Sequence, residues 1–464
     1  MSAPALPREA AYHQVMPDSV AARSYRLNVQ PYNNQTFKSN DIIKIKLPNT
    51  RNCLFNAGKS YLKFQVNIPV TGSTTNPSGA NSFVSFDGHC TSVIKTLLAY
   101  SGGGGFLLEN STDYGALHTA FMDLQVGVEA RTVSTFAILG GQGGETTWAN
   151  PSGRTCYGMA QNTSEVFCTG LVSHLFGNLS QRMFPIGETS DGLELHLQLN
   201  DFKSSFKAVT DATGTTPITT GQMTTWGDTA GAVLAANITI TNVEYVAEYV
   251  ELQANAMSAI RSMNGGRYVI SGEQYRSISA TVPASSTGTY SLLVNHRLSS
   301  LKSLWAGMYG TNNVGNMCLN SVTGRTKNNL NTYQWRIGSN PVPQRPVVAG
   351  TAAGVSGAEA LMEVEKTIRG VNAVLGACSI SKAGYNSQTN STQIGSFIMG
   401  TELDAFDFTI DKPARSGVDT TSAPVFLDLT FHTGTYEAVN TIVWAHYDAS
   451  IVVDASTGSV VKVE

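Results

Sequence analysis

Segments in which apolar and polar residues alternate strictly constrain the fold of this 464-residue chain most strongly. In YLKFQVNI, Leu62, Phe64, Val66 and Ile68 fall on one side of a strand, and polar residues fall on the other. The same period recurs in DIIKIKLP, GLELHLQLN and APVFLDLTF. Successive side chains of a strand point to opposite faces, so this pattern is typical of antiparallel sheets with one buried face. The sequence therefore predicts an all-β protein with a few short helices. The predicted core residues of the other three strands are Ile43, Ile45, Leu47, Leu193, Leu195, Leu197, Leu199, Val425, Leu427, Leu429 and Phe431.

The order of elements repeats once along the chain. Each half contains opening strands, one internal helix, an alternating strand after a proline-containing bend, and a closing pair of strands. Many short strands without strand–helix alternation favour a two-sheet sandwich in each half. We therefore predict an arm at residues 1–24, a first domain at 25–249, a linking helix at 250–266 and a second domain at 267–464.

Three helices are predicted from apolar stripes and end signals. The first follows Asp113, a candidate N-cap residue. The second precedes Asn264-Gly265, a plausible stop. The third lies in AEALMEVEKTI. The predicted buried stripes are Leu117, Ala120, Phe121 and Leu124; Leu252, Ala256, Ala259, Ile260 and Met263; and Leu361, Val364 and Ile368. Residues 127–165 and 209–232 are predicted to be long loops.

Charged residues are scarce in this chain. They make up 14% of the residues, against about a quarter in ordinary domains, and the formal net charge is -3. A strong field that attracts nucleic acid or an anionic membrane is therefore not expected. Few charges also suit surfaces that neighbouring molecules cover.

The six cysteines show no CxxC spacing, so neither a structural zinc site nor a dense disulfide framework is expected. We interpret them as thiols in a reducing compartment: Cys53, Cys90, Cys156, Cys168, Cys318 and Cys378. The sequence also lacks a secretory signal, a myristoylation site and an apolar run long enough to cross a membrane.

A search for catalytic groups finds little. No GxSxG, HExxH or phosphate-loop motif occurs, and the loops SGGGGF and GGQGGE lack a phosphate-binding lysine. His196 and His432 lie on the polar faces of strands, where a satisfied histidine is the simpler interpretation. The run His446-Tyr447-Asp448 would need a distant serine to act as a triad. The pair Glu402 and Asp404 is the one candidate for glycoside cleavage. No catalytic, cofactor-binding or metal-binding residues are predicted.

Two binding interpretations also arise. Lys44, Lys46 and Arg51 form a small basic patch, but no aromatic residues accompany it as nucleic-acid binding would require. A carbohydrate-binding or adhesive sandwich is the alternative function. In that case, aromatic residues in or near loops would stack on sugars, with Trp148, Trp226 and Trp335 as candidates.

The segment NTYQWRIGSNPVPQRPVV joins a strand to a proline-rich stretch. Tyr333, Trp335 and Ile337 are predicted to point inward, and Gly338-Ser339 to end the strand. The prolines that follow keep the backbone extended and lack N–H groups for pairing with another strand. The stretch is therefore predicted to lie against a neighbouring subunit. Arg345 is the residue expected to face that subunit. The prolines are Pro341, Pro343 and Pro346.

In order and local pattern, these pieces resemble the double jelly-roll major capsid proteins of double-stranded DNA viruses, a lineage that includes adenovirus hexon and the capsid proteins of large eukaryotic DNA viruses, virophages and polinton-like viruses. The first half resembles them in LLENSTDYGALHTAFMDL, RMFPIGETSDGLELHLQLN and NVEYVAEYVEL. The second half does so in RLSSLKSLWAGMY, YQWRIGSNPVPQRP, FIMGTELDAFDF, SGVDTTSAPVFLDLTF and VWAHYDASIVVD. Together these motifs span nearly the whole chain after the arm.

The resemblance implies two consecutive antiparallel eight-stranded jelly-roll sandwiches. It further implies a structural protein without cofactors or catalytic residues, in which three copies form a pseudo-hexagonal capsomer of an icosahedral shell. The implied partners are other copies of the chain, neighbouring capsomers, and penton and minor capsid proteins, with an inner membrane as a further candidate. The implied location is the virion, assembled inside the host cell. A single-jelly-roll capsid protein of an RNA virus is the nearest rival. Such proteins usually carry a basic arm, whereas Arg8 and Arg23 are offset here by Glu9 and Asp18.

Overall fold

The structure is a computed structural model. It describes residues 22–69, 82–127, 159–160, 162–180, 182–210, 235–317, 319–350, 357–367, 380, 382–388, 395–404 and 416–463.

The first half of the chain contributes twelve strands to the described residues. They are β1 Ala22–Val29, β2 Thr36–Phe37, β3 Ile42–Leu47, β4 Cys53–Ile68, β5 Ser82–Phe86, β6 Ile94–Ser101, β7 Leu107–Thr112, β8 Met159–Ala160, β9 Thr163–Thr169, β10 Leu193–Leu199, β11 Phe206–Thr210 and β12 Thr239–Leu252.

The described part of the second half contributes eleven strands. They are β13 Arg267–Val282, β14 Gly288–Val294, β15 Leu301–Gly310, β16 Gly324–Arg325, β17 Leu330–Ile337, β18 Asn340–Val348, β19 Gly395–Ser396, β20 Met399–Glu402, β21 Val425–Phe431, β22 Val439–Asp454 and β23 Ser459–Val463.

Each half contains eight principal strands arranged in the same two antiparallel sheets. In the first half the sheets have the orders β1-β12-β4-β9 and β3-β10-β6-β7. In the second half they have the orders β13-β22-β15-β20 and β14-β21-β17-β18. If the principal strands of each half are counted from one to eight, both halves have the orders 1-8-3-6 and 2-7-4-5. The expected pair of eight-stranded jelly rolls is confirmed, and we call them the first roll and the second roll. Additional short strands lie beside them, including the three-stranded sheet β11-β5-β8.

The alternating segments bury the faces that their sequences predict. In β3, for example, Ile43, Ile45 and Leu47 are buried whereas Lys44 and Lys46 are half-buried. Strands β4, β10 and β21 bury the predicted apolar rows in the same way. These rows form two hydrophobic cores, one centred in each roll.

The described helices are short connections between strands. They are α1 Tyr114–Gln125, α2 Phe202–Ser205, α3 Ala254–Met263, α4 Ala358–Lys366 and α5 Lys382–Tyr385, and single 3-10 turns occur at Cys90–Val93, Gly102–Gly104, Ile186–Glu188 and Thr311–Asn313.

Two local predictions about the helix ends and faces hold only in part. Asp113 occupies the N-cap position of α1, as predicted, with a left-handed backbone (φ 49°). Its side chain makes no capping hydrogen bond, because the carboxylate accepts one from Ser277 of the second roll instead. The predicted stripe of α3 is buried only in part. Ala256 and Ile260 are half-buried, and Ile260 packs against the first core. Met257, outside the predicted stripe, is the fully buried residue, whereas Met263 is 86% exposed. An ion pair between Arg261 and Glu188 favours this orientation of the helix.

Other predictions about helices and loops have mixed outcomes. Asn264 ends α3, and the glycines that follow have positive φ, as expected of a stop. In α4, Val364 is buried and Leu361 half-buried. Ile368 lies outside the described residues, as do most of both predicted loops, although β9 begins within the first of them, at Thr163.

The proline-rich segment folds back on the strand that precedes it. Strands β17 and β18 form an antiparallel hairpin whose turn is Gly338-Ser339, with φ of 60° at Gly338. Tyr333 and Trp335 are buried as predicted, and Ile337 is half-buried against the second core. Strand β18 is the edge of its sheet, where strands can accommodate proline because one side needs no donors. The proline-rich segment is therefore extended, as expected, and it pairs with a strand of its own chain.

Candidate functional site

The junction between the two rolls contains several buried polar and charged groups, and residues of α1 take part in it. Ten of the twelve residues of this helix are buried, so the stripe predicted from sequence is only part of its buried surface. Phe121 packs edge-on against Tyr275, with ring centroids 5.2 Å apart, and lies 4.9 Å from the Trp305 ring. A helix from the first roll thus contributes to the core of the second roll.

The second roll in turn reaches into the first. Tyr268 and Ile270 at the start of β13 and Ile451 and Val453 near the end of β22 belong to the hydrophobic core of the first roll. Val460 of β23 joins them. Each core is therefore completed by residues from the other half of the chain, which fixes the relative orientation of the rolls.

A buried carboxylate and lysine connect the rolls at one place. Asp87 and Lys207 of the first roll form an ion pair of 2.7 Å, and both side chains are almost fully buried. Asp87 also accepts the backbone N–H groups of Ser321 and Val322 at 2.7 and 2.6 Å. Thr323 donates its hydroxyl to Asp87 and lies 2.9 Å from the Lys207 Nζ. Hydrogen bonding of this kind offsets the desolvation cost of buried charges.

A second buried ion pair crosses the junction from α1. The guanidinium of Arg325 pairs with the carboxylate of Asp123, and the Arg325 side chain is fully buried. Burial by itself would lower the pKa of Arg325, but the charge of Asp123 outweighs it and raises that pKa above its usual value. The buried charge of Arg325 is thus balanced by a residue of the other roll.

Close backbone approach also defines the junction. A Cβ at Gly272 would lie 2.4 Å from the ring of His174, so only glycine can occupy this position without displacing the histidine. Next to it, Gln274 donates to the backbone oxygen of Leu108 at 3.0 Å and accepts from the Tyr447 hydroxyl at 2.9 Å. The start of β13 is therefore held directly against the first roll.

The structure brings two of the predicted chemical candidates together around Lys302. Its Nζ lies 2.5 Å from Glu273, 3.4 Å from Asp404 and 3.8 Å from Asp448. His446 donates a hydrogen bond from its Nε2 to the carboxylate of Glu273 over 3.0 Å. Lys302, Glu273, Asp404 and His446 line a cavity of about 180 Å³ that Glu402 also borders. Tyr447 points to the opposite face, towards Gln274, as expected for strand neighbours.

The electrostatics of the Lys302 cluster are those of paired ions. Burial would raise the pKa of Glu273, but the hydrogen bond and charge of His446 and the charge of Lys302 hold it well below its usual range. Burial would likewise lower the pKa of Lys302, but Glu273, Asp448 and Asp404 raise it. A general acid or base works best with a pKa near the operating pH. The pKa of Glu273 is lowered and the pKa of Lys302 is raised, so both move away from neutral pH. The cluster is therefore better suited to a structural role than to acid–base catalysis.

The remaining candidates are dispersed. His196 contacts Glu194 at 3.2 Å, and His432 contacts the backbone oxygen of Gly350 at 3.0 Å. Lys46 of the basic patch is paired with Asp191 at 2.7 Å. Trp335 is buried in the second core and cannot stack on a sugar, which weakens the carbohydrate-binding alternative. Trp148 and Trp226, the other aromatic candidates, lie outside the described residues.

Three cysteines lie in the described part of the chain, and none of them forms a disulfide bond. Cys53 and Cys90 are buried and Cys168 is half-buried, whereas Cys156, Cys318 and Cys378 lie outside the described residues. Within the same part of the chain, no group of three or more His, Cys, Asp or Glu residues has an arrangement that could hold a metal ion. Nor is any described helix long and apolar enough to cross a membrane.

The junction residues were not found from sequence. Asp87 and Thr323 are 236 positions apart, and Asp123 and Arg325 are 202 positions apart. Their neighbours in sequence carry no motif that links them. Only the packing of the two rolls brings them together.

Comparison with solved structures extends over almost the whole chain. A quasi-atomic model of the PBCV-1 virus capsid matches with a TM-score of 0.55 and 10% identity, covering 98% of this chain and 100% of that one. The fold is that of viral capsid proteins. The Faustovirus major capsid protein shares this double jelly-roll fold, with a TM-score of 0.53, 9% identity and coverage of 95% and 92%. The Sputnik virophage structure matches with a TM-score of 0.54 and 12% identity, covering 100% of this chain and 93% of that one.

All three of these solved structures come from viruses. No protein-family model and no curated protein matches the sequence.

Proposed function

We propose that this chain is the major capsid protein of a double-stranded DNA virus and that three copies form a capsomer with a pseudo-hexagonal outline. The observation that carries the proposal is the identical strand order of the two rolls, over a chain that aligns end to end with capsid structures. Three copies with two similar rolls each provide six similar wedges. Such wedges can tile an icosahedral shell through repeated contacts.

The buried junction suits this role because a tile must keep a fixed shape. The Asp123–Arg325 and Asp87–Lys207 pairs and the shared cores hold the rolls in one orientation. If the rolls could rotate freely, the six wedges of a capsomer would not keep equivalent positions.

We also propose a role for each segment of the chain. Residues 25–249 and 267–464 act as the two wedges, residues 250–266 connect them, and residues 1–24 act as an arm that ties capsomers together. The end of β12 at Leu252 and the start of β13 at Arg267 are consistent with this division. Penton and minor capsid proteins are further proposed partners, and an inner membrane is a further candidate. The proposed location is the virion, after assembly inside the host cell.

Purified protein tests the proposal directly. Light scattering coupled to size exclusion should give about three times the 49.4 kDa mass of one chain, and negative-stain images should show hexagonal particles or shells. A stable monomer at micromolar concentration, with neither capsomers nor shells in the images, would contradict it.

Arg345 provides a more local test of the same proposal. It is exposed on β18, the edge strand of its sheet. We expect Arg345→Glu to reduce shell assembly while the unfolding temperature stays unchanged. Lys59→Glu, the same charge reversal at an exposed site of β4, serves as the matched control. Equal assembly of both variants and the unaltered protein would show that Arg345 does not face a neighbour.

A further inference from the structure

The buried pair of Asp87 and Lys207 has the arrangement of two reactants as well as that of two ions. The Lys207 Nζ lies 2.7 Å from the Asp87 Oδ1, and both side chains are almost fully buried. An amine held against a carboxyl group can attack the carboxyl carbon. Fixed proximity of this kind acts like a very high concentration of one reactant around the other. The pair therefore meets the first requirement for an amide bond between two side chains.

The other carboxyl oxygen of Asp87 faces two backbone donors. The N–H groups of Ser321 and Val322 donate to Oδ2 at 2.7 and 2.6 Å. When an amine attacks a carboxyl carbon, negative charge gathers on the oxygen that stays bonded to it. Two preorganised N–H donors at such distances stabilise this charge in acyl-transfer reactions. Oδ2 is thus the oxygen that is retained, and Oδ1 is the oxygen that leaves.

Thr323 connects the two reacting groups by its hydroxyl. The hydroxyl donates to Asp87 Oδ1 and lies 2.9 Å from the Lys207 Nζ. The attacking amine must lose protons and the leaving oxygen must gain them, and a hydroxyl in contact with both atoms can relay them. Thr323 and the two backbone donors belong to the second roll, whereas both reactants belong to the first. The reacting arrangement is therefore complete only when the two rolls have packed together.

We propose that Asp87 and Lys207 form an amide bond with each other within the folded chain. A bond forms between the Lys207 Nζ and the Asp87 Cγ, and the bond between Cγ and Oδ1 breaks. Oδ1 leaves as water with two protons from the lysine ammonium, so no further reactant is needed. Burial of both side chains keeps solvent from hydrolysing the product. The proposal does not depend on the capsid role, since it concerns chemistry within one chain.

Intact mass spectrometry of the denatured full-length chain tests the proposal. The chain should be lighter than its sequence predicts by the mass of one water molecule. Protease digestion should give one branched peptide that contains both Asp87 and Lys207. A full mass, with the two residues recovered on separate unmodified peptides, would overturn the amide bond.

A competing reaction would give the same loss of mass. Asp87 is followed by Gly88, and a backbone N–H after an aspartate can attack the side-chain carboxyl group to form a succinimide. Lys207→Arg keeps the positive charge but removes the amine, so this variant should have the full mass of its sequence. Loss of water from the variant as well would assign the lighter mass to the succinimide and overturn the proposal. The branched peptide of the unaltered chain decides the same question without relying on the fold of the variant.

Thr323→Val tests how the bond forms. This variant keeps both reactants but lacks the hydroxyl between them, so bond formation after synthesis should slow by roughly a hundredfold or more. Thr441→Val is the matched control, because Thr441 is a buried threonine of β22 whose hydroxyl has no hydrogen-bond partner in the described part of the chain. The branched peptide, quantified at intervals after synthesis, measures both rates. Equal rates in the two variants would overturn the role of Thr323.

Discussion

At the scale of single residues, the Asp123–Arg325 pair shows what a distant partner does for a buried charge. Arg325 is fully buried, and the carboxylate that pairs with it belongs to the other roll. Removing one member leaves the other charge buried without its counterion, whereas replacing both with apolar residues removes the desolvation cost as well. The two kinds of change are therefore expected to differ in their effect on stability.

We predict that Asp123→Leu lowers the free energy of unfolding by about 3–5 kcal/mol. The double variant Asp123→Leu with Arg325→Met should lose clearly less, because no unpaired charge remains. Urea unfolding of both variants and the unaltered protein measures the difference. Losses that simply add in the double variant would show that the two residues do not interact.

Gly272 gives a second prediction at this scale. Gly272→Ala places a methyl group against the His174 ring and should destabilise the protein by about 1–3 kcal/mol, the usual cost of overpacking. Gly170→Ala is the matched control, since its Cβ meets open space. Thermal unfolding compares the two variants. Equal stabilities would mean that the His174 ring can move away from position 272 without a loss of stability.

At the scale of elements, the alternation of apolar and polar residues determines where strands form and which face of each strand is buried. The pairing of neighbouring strands then positions the charged groups. Glu273 of β13, Lys302 of β15 and His446 of β22 meet because these three strands are adjacent in one sheet. The sequence pointed to His446 and Asp448 through their spacing. It gave no sign of Lys302, since a lone lysine on a strand is usually solvated.

We predict a specific pH dependence for this cluster. The pKa of Glu273 is lower in the folded state than in the unfolded chain, so the folded state binds fewer protons there. Its stabilising contribution is complete above roughly pH 4.3 and is lost as the pH falls towards the depressed folded-state value.

The comparison of Glu273→Gln with the unaltered protein measures that contribution. The difference in unfolding free energy should be largest near neutral pH and should shrink as the pH falls below about 4. Glu251→Gln, at an exposed glutamate of β12, is the control and should change little. A difference that stayed constant down to acidic pH would contradict the assignment of Glu273 as the ionised partner.

At the scale of the whole molecule, the two rolls share their cores. Strands β13, β22 and β23 supply Tyr268, Ile270, Ile451, Val453 and Val460 to the first roll, and α1 supplies Phe121 and its neighbours to the second. A roll expressed without its partner would expose these apolar side chains to water. The doubled sequence pattern does not reveal this dependence, because each half has its own complete set of strands.

We predict that a fragment of residues 267–464 does not fold into a stable unit. It should bind a hydrophobic dye strongly and lack a cooperative unfolding transition, whereas the full chain should unfold in one transition. Calorimetry and dye fluorescence of both proteins provide the measurement. A fragment with a sharp transition of its own would show that the rolls are independent domains.

The sequence by itself determined the properties that depend on nearby residues. The two-residue period fixed the buried faces of β3, β4, β10 and β21, and the repeated order of elements indicated two β-sandwich domains. Tertiary structure decided whatever depends on residues far apart in the chain. The return of β18 as an edge strand, the nearly complete burial of α1 and the Asp123–Arg325 pair belong to this group. Local periodicity specifies which face of a strand avoids water, but the partner that covers that face is chosen only when both rolls pack together.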